Sequence, residues 1–191
     1  RVNQVTDPTS TVCDTRTFTN NGRLASVKDA RNNTTSYSWD GFDRPNKTTF
    51  ADTTFEQNSS YDANGNVLTY LTRSGSSITA TYDVLNRKAT KSPASQPVIT
   101  YTYDLAGRLT QQSKPVVAGD PSSGALIFSF DTAGRFYQEQ YPDGKTVTHV
   151  LDGNGNRTKT TWPDGYFVDR VFDQMNRLTN IKLNGSATSA V

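Results

Sequence analysis

The stretch Tyr101-Thr-Tyr-Asp-Leu-Ala-Gly-Arg-Leu-Thr110 reads as two short strands joined by a turn. Its Asp104 has counterparts at Asp40, Asp62, Asp83, Asp131, Asp152 and Asp173, with a degenerate copy at Thr19. From Thr19 onward the copies are 21, 22, 21, 21, 27, 21 and 21 residues apart by subtraction. A fixed period of this kind marks a repeat architecture in which one small unit is stacked many times. The residue before each key position is Phe18, Trp39, Tyr61, Tyr82, Tyr103, Phe130, Leu151 or Phe172, apolar throughout and aromatic in all but one copy. The tyrosine, aspartate, glycine and arginine of the stretch are therefore parts of a brick used repeatedly.

The turn explains the rest of the brick. Three residues after the key position stands Gly22, Asp43, Gly65, Asn86, Gly107, Gly134, Gly155 or Asn176. Gly, Asn and Asp tolerate positive φ, and no β-branched residue occurs in this column. An Asp side chain at the start can accept hydrogen bonds from backbone N–H groups two residues on, and a left-handed residue then closes a type I turn with a bulge. Before the turn, Ile99, Tyr101 and Tyr103 share one strand face, as do Leu126, Phe128 and Phe130, or Val147, His149 and Leu151. After it, Leu24, Val67, Leu109, Phe136 and Leu178 anchor the return strand, while Pro45, Lys88 and Arg157 break the column. That break predicts a return strand less buried or more variable than the outgoing one.

A second turn completes the unit. Asp52, Asp143 and Asp164 lie 12 residues after a key Asp, the last two inside Tyr141-Pro-Asp-Gly-Lys145 and Trp162-Pro-Asp-Gly-Tyr166. Proline followed by Asp-Gly is a strong turn signal. The 27-residue step holds an insertion around residues 114–124 at this second turn, where a loop absorbs length at little cost. Residues 1–191 thus read as a single repeat region, with repeats over roughly 14–183, folded as an all-β antiparallel meander of hairpins.

The units Tyr61-Asp-Ala-Asn-Gly-Asn-Val-Leu-Thr69, Tyr103 to Thr110, Phe130-Asp-Thr-Ala-Gly-Arg-Phe136 and Phe172-Asp-Gln-Met-Asn-Arg-Leu-Thr179 resemble the YD repeat of RHS proteins. That family includes bacterial polymorphic toxins, the C subunits of insecticidal Tc toxins and animal teneurins. The resemblance implies a curved sheet or β-solenoid. It also implies that the chain is a segment of the hollow shell of a longer, exported, secreted or cell-surface bacterial protein, whose remaining repeats and C-terminal toxin domain are its partners. An alternative is a carbohydrate-binding or adhesion module, which needs Trp39, Tyr141 or Trp162 exposed on an open face. Family members often cleave themselves at an Asp-Pro-containing core motif. Asp7-Pro8 and Asp120-Pro121 lie in no such motif, so the self-cleaving segment and the toxin are expected outside this sequence.

Composition fits a thin wall. Only 33% of residues are hydrophobic, with mean hydropathy of -0.67, and aromatics at fixed positions argue against disorder. A net charge of +2 is too mild to call for nucleic acid. The arginines Arg23, Arg44, Arg87, Arg108, Arg135 and Arg177 follow the turn residue, where they can pair with a turn Asp or cover a neighbouring ring. The one cysteine, Cys13, has no internal disulfide partner, and no apolar run approaches the ~20 residues of a membrane span.

No catalytic set emerges. His149, the only histidine, shares its repeat position with Tyr37, Tyr101 and Phe128, which points to a packed ring. Asp62-Ala-Asn-Gly-Asn66 and Asp152-Gly-Asn-Gly-Asn156 imitate the opening of a calcium loop. They put Val67 or Arg157 where its glycine belongs and Arg73 or Pro163 where its last acid belongs. Neither cofactor nor metal is expected, nor enzymatic activity. The unpaired edges of a cut sheet predict self-association.

Overall fold

The computed structural model describes residues 2–6, 8 and 12–187. By its contacts the chain divides into two compact units, Arg1–Pro97 and Val98–Val191. The first holds strands β1 (Gln4–Thr6), β2 (Val12–Phe18), β3 (Leu24–Asp29), β4 (Thr34–Trp39), β5 (Pro45–Thr49), β6 (Phe55–Tyr61), β7 (Val67–Leu71), β8 (Ser77–Tyr82) and β9 (Lys88–Pro93). The second holds β10 (Ile99–Tyr103), β11 (Leu109–Lys114), β12 (Gly124–Phe130), β13 (Phe136–Gln140), β14 (Thr146–Leu151), β15 (Arg157–Thr161), β16 (Phe167–Phe172), β17 (Leu178–Leu183) and β18 (Ser186–Ala187). Within each unit every strand pairs antiparallel with the next, so each is an uninterrupted meander.

An odd period raises a problem that the hairpins solve. Side chains alternate faces along a strand, so a 21-residue repeat with regular pairing sends the equivalent residues of successive copies to opposite faces. Each first-turn hairpin carries one register shift, as between Thr102 and Tyr103, Ser129 and Phe130, or Val150 and Leu151. The second-turn hairpins, such as β3 with β4 and β13 with β14, pair without any. One bulged residue per unit takes up the odd position and returns every copy to the same face. The single 22-residue step is absorbed in the same way. Here β6 carries a second shift, between Asn58 and Ser60, which leaves Ser59 as an extra bulged residue. The 27-residue step adds an even number, in the loop between β11 and β12, and preserves the faces.

The sheet has little solid core. Among the described residues the buried apolar side chains are Val147 and Val168, joined by the polar Ser123 and Thr160, and no large side chain is fully enclosed. The accessible surface is 12356 Å², against about 9,000 Å² for a compact chain of this mass and about 11,000 Å² for two separate compact halves. Both units are accordingly single layers with half-covered faces. Tyr101 and Tyr103 are half-buried while Thr100 and Thr102 are exposed, the alternation of a strand with one better-covered face.

The return strands vary, and three of them are better covered than expected. Strands β7, β9 and β11 have no exposed residue, whereas the outgoing strands β8 and β10 do. Lys88, Lys91, Gln111, Gln112 and Lys114 on these strands are half-buried, as long polar side chains are when their methylene stems cover apolar surface. Pro45 and Arg157, which break the anchor column, open their strands at exposed positions.

Deletion of Ser59 is expected to give a folded chain with unfolding free energy within about 1 kcal/mol of the parent, because it restores the 21-residue step. Deletion of Thr148, mid-strand in β14, sends one arm of that strand to the wrong face and is expected to cost several times more. Equal losses in chemical denaturation contradict the parity argument.

Candidate functional site: the aspartate-closed turns and the links between hairpins

The recurring motif residues gather at the turns. Gly107 N–H donates to the Asp104 carbonyl at 3.0 Å and Asp104 N–H donates to the Arg108 carbonyl at 3.0 Å, and the same pair closes the turns at Asp40, Asp62, Asp83, Asp131, Asp152 and Asp173. The third residue has positive φ in every copy, 82° at Gly107, 80° at Gly134, 86° at Gly65, 88° at Gly155, and 60° at both Asn86 and Asn176. The second turns use the same closure with varied first residues: Gly144 N–H to the Tyr141 carbonyl and Gly165 N–H to the Trp162 carbonyl, each 2.9 Å, but also Asn32 N–H to the Asp29 carbonyl at 3.0 Å and Gly75 N–H to the Thr72 carbonyl at 2.9 Å.

The key carboxylate is engaged on both oxygens. Oδ1 of Asp83 accepts the backbone N–H groups of Leu85 and Arg87 at 2.9 Å each, and Oδ2 accepts Arg87 Nε at 2.7 Å. Asp40 binds Arg44, Asp104 binds Arg108, Asp131 binds Arg135 and Asp173 binds Arg177 through the same Nε contact, at 2.6 to 2.8 Å. At Asp62 and Asp152 the partner is Asn66 or Asn156, whose Nδ2 donates to Oδ2 at 2.9 Å. These bonds favour the ionised form. The Arg44 and Arg87 side chains lead at Asp40 and Asp83, the Asn66 and Asn156 side chains at Asp62 and Asp152, and the partner's backbone N–H at Asp104, Asp131 and Asp173. All seven carboxyls lie below the usual carboxylate range.

Within each unit hairpins also grip their neighbours. The indole of Trp39 donates from Nε1 to the Leu24 carbonyl at 2.9 Å, Tyr82 Oη donates to the Val67 carbonyl at 3.0 Å, and Tyr61 Oη donates to the Pro45 carbonyl. In all three the acceptor opens the return strand of the preceding repeat. The turn arginines reach the other way, onto the ring of the following repeat: Arg44 over Tyr61 at 4.0 Å, Arg108 over Phe130 at 4.5 Å and Arg23 over Trp39 at 5.7 Å. Arg135 Nη1 donates to the Asp152 carbonyl at 2.6 Å. Where Asn replaces Arg, Asn64 and Asn66 both donate to Asn86 Oδ1, and Asn154 and Asn156 both donate to Asn176 Oδ1, at 2.9 and 3.0 Å in each case.

The calcium-like stretches are therefore hairpin ties, and no acid or histidine cluster fit for a metal occurs among the described residues. The Asn role escaped a reading confined to the arginine column, although the same fourth-position offset carries it. Phe130 and Phe172 fill the aromatic position without a donor, and Phe130 packs edge-on against Phe136 at 5.9 Å. Asp120, in the β11–β12 loop, accepts Ser122 N–H and Oγ at 2.9 and 2.6 Å, while Asp7 lies outside the described residues. Cys13 is exposed.

Residues 18–54, nearly two 21-residue units running from the turn at Thr19 to the turn at Phe50, match the RHS repeat family. The chain carries RHS repeats. No curated protein sequence matches it. Among solved structures, the RHS hairpins align with the crystal structure of TcdB2-TccC3 at a TM-score of 0.65 and 15% identity, covering 97% of this chain and 12% of that one. TcdB2-TccC3-Cdc42 aligns at 0.58 and 12% identity over 92% of this chain, and the Photorhabdus luminescens Tc holotoxin pore at 0.58 and 12% over 96%, again covering 12% of those chains. At these identities the likeness is one of fold, an all-β antiparallel hairpin repeat, and the chain spans about an eighth of the length of the structures it matches.

Two outcomes follow from this geometry. Tyr82→Phe, which removes only the hydroxyl donated to the Val67 carbonyl, is expected to cost about 0.5–1.5 kcal/mol in denaturant unfolding, whereas Phe130→Tyr gains nothing comparable. Carboxyls depressed in the folded state stabilise it above their unfolded value near pH 4 and lose that contribution as pH falls through their folded values. The unfolding temperature should drop between about pH 4 and pH 2, and Asp104→Asn should shrink the drop; an unchanged unfolding temperature over that interval contradicts the assignment.

Proposed function

We propose that the chain is a wall segment of a hollow RHS shell that encloses a C-terminal toxin or effector domain of a longer, exported bacterial protein. The observation that carries this reading is the single-layer meander with hairpin-to-hairpin ties and almost no core of its own. Such a sheet gains by continuing into further repeats, and its role is exclusion by an unbroken ladder of main-chain pairs. The alignment with TcdB2-TccC3 over nearly the whole chain supports the same reading. Residues 1–191 then act as one repeat region of that wall, without catalysis of their own, and the remaining repeats and the enclosed domain are the partners.

The test is limited proteolysis of the parent protein. The C-terminal domain is expected to resist protease when the repeats are intact. It is expected to become cleavable when one unit, residues 84–104, is removed in frame. Protection that survives the deletion, or a C-terminal domain cut as readily in the intact protein, contradicts the wall. Separated from its neighbours, the chain is expected to self-associate with rising concentration in sedimentation experiments.

A second reading has one specific observation in its favour. Tyr141, Trp162 and Tyr166 are more than a third exposed, beside adjoining grooves of about 560 and 580 Å³ that share Lys145 and Pro163. Trp39, by contrast, is held by Leu24 and covered by Arg23. A glycan-binding module predicts that sugars perturb the fluorescence of Trp162 and that Trp162→Ala abolishes retention on a glycan array. The wall predicts neither effect.

A further inference from the structure

The column three residues before the key position varies, with Arg16, Tyr37, Ser59, Ala80, Tyr101 and Phe128, and it holds His149 and Arg170 in two successive units. The structure joins these two through one buried hydroxyl. His149 on β14 pairs with Thr160 on β15, which pairs with Val168 on β16. Arg170 Nη1 donates to Thr160 Oγ1 at 3.0 Å, and His149 Nδ1 lies 3.2 Å from the same oxygen. Thr160 is 5% exposed.

The direction of the bonds is decided by their chemistry. A guanidinium only donates, so Thr160 Oγ1 accepts from Arg170 and keeps one proton to give. A buried hydroxyl proton needs an acceptor, and the acceptor in reach is Nδ1 of a neutral imidazole. Phe136 packs against the imidazole, with ring centroids 5.6 Å apart and planes tilted by 55°. The charged groups that face His149 are Glu139 from β13, Arg157 from β15 and Arg170 from β16. Two cations against one anion, with partial burial, oppose a third cation in this place.

We propose that His149 is an acid-sensitive latch on strands β14 to β16. Neutral, it completes the Arg170–Thr160–His149 chain that ties three strands across one face. Protonated at Nδ1, it loses the acceptor, strands the Thr160 proton and sits as a cation between Arg157 and Arg170, so this section of sheet loosens while the hairpin turns stay closed. Burial first, then Arg157, hold the imidazole below its ordinary value, with Glu139 acting against them. The sign follows. A depressed histidine contributes stability that is present above its unfolded pKa near 6.5 and is lost as pH falls toward the folded value. Histidine is the side chain that ordinarily titrates between pH 5 and 8, and the chain has one.

The experiment is a histidine ring NMR titration of the full chain from pH 8 to 4.5, in which one histidine gives one signal. It is combined with amide exchange expressed as protection factors. The expected result is a midpoint below about 6.5, with a fall in β14–β16 protection of about tenfold or more across the same interval. Strands β2 to β9 serve as the internal control and hold their protection. His149→Phe, which takes the residue of the Phe128 position, should lack the loss. Thr160→Val should raise the His149 midpoint, because the neutral ring loses its donor. A midpoint at or above about 6.5, β14–β16 protection independent of the titration, or an unchanged midpoint in Thr160→Val would each overturn the latch.

Discussion

The fold depends on one constraint: a side-chain oxygen at the head of each first turn, an Asp carboxylate in seven copies and the Thr19 hydroxyl in the eighth, satisfies backbone N–H groups that the turn would otherwise leave to water. With Oδ1 shared between the second and fourth residues and Oδ2 held by the fourth side chain, the turn is closed by its own residues. The left-handed third residue lets the chain reverse without strain. The sheet can then be thin, because its geometry is set at the turns rather than by a packed interior. Val147 and Val168 are too little apolar material to define a strand register by burial alone.

Locality explains what the sequence disclosed. The turn motif, the aromatic column and the face alternation of Tyr101 and Tyr103 lie within one hairpin, so spacing and residue type reveal them. The bulges do not, because the residue skipped in each register is defined only by its partner strand. The step of 22 residues was visible as an irregularity, yet nothing in Asn58-Ser-Ser60 says that Ser59 is the residue set aside. The cover of β9 and β11 was hidden for a related reason: Lys88, Lys91, Gln111 and Gln112 are polar residues that are half-buried in the sheet, and hydropathy does not register a methylene stem.

The candidate site was legible to the same degree. The arginine column pointed to turn pairs and covered rings, both of which the structure contains, but the direction of the grip was hidden. Arg44 and Arg108 lean forward onto the next repeat, while Tyr61 and Tyr82 donate backward to the previous one. The substitution of Asn for Arg at Asn66 and Asn156 changes the chemistry of the tie and keeps its position. A repeat tied in both directions is stable in proportion to the neighbours it has, as expected of a segment that belongs to a longer array.

The most direct test of the central claim is residue-resolved amide exchange at the fourth turn position, Arg44, Asn66, Arg87, Arg108, Arg135, Asn156 and Arg177. The account predicts protection there comparable to the adjoining strand amides, reduced by substitution of the key Asp with Ala in that repeat. Exchange at the rate of open loops in the unaltered chain would show that the carboxylates do not close the turns, and the register of the sheet would need another cause.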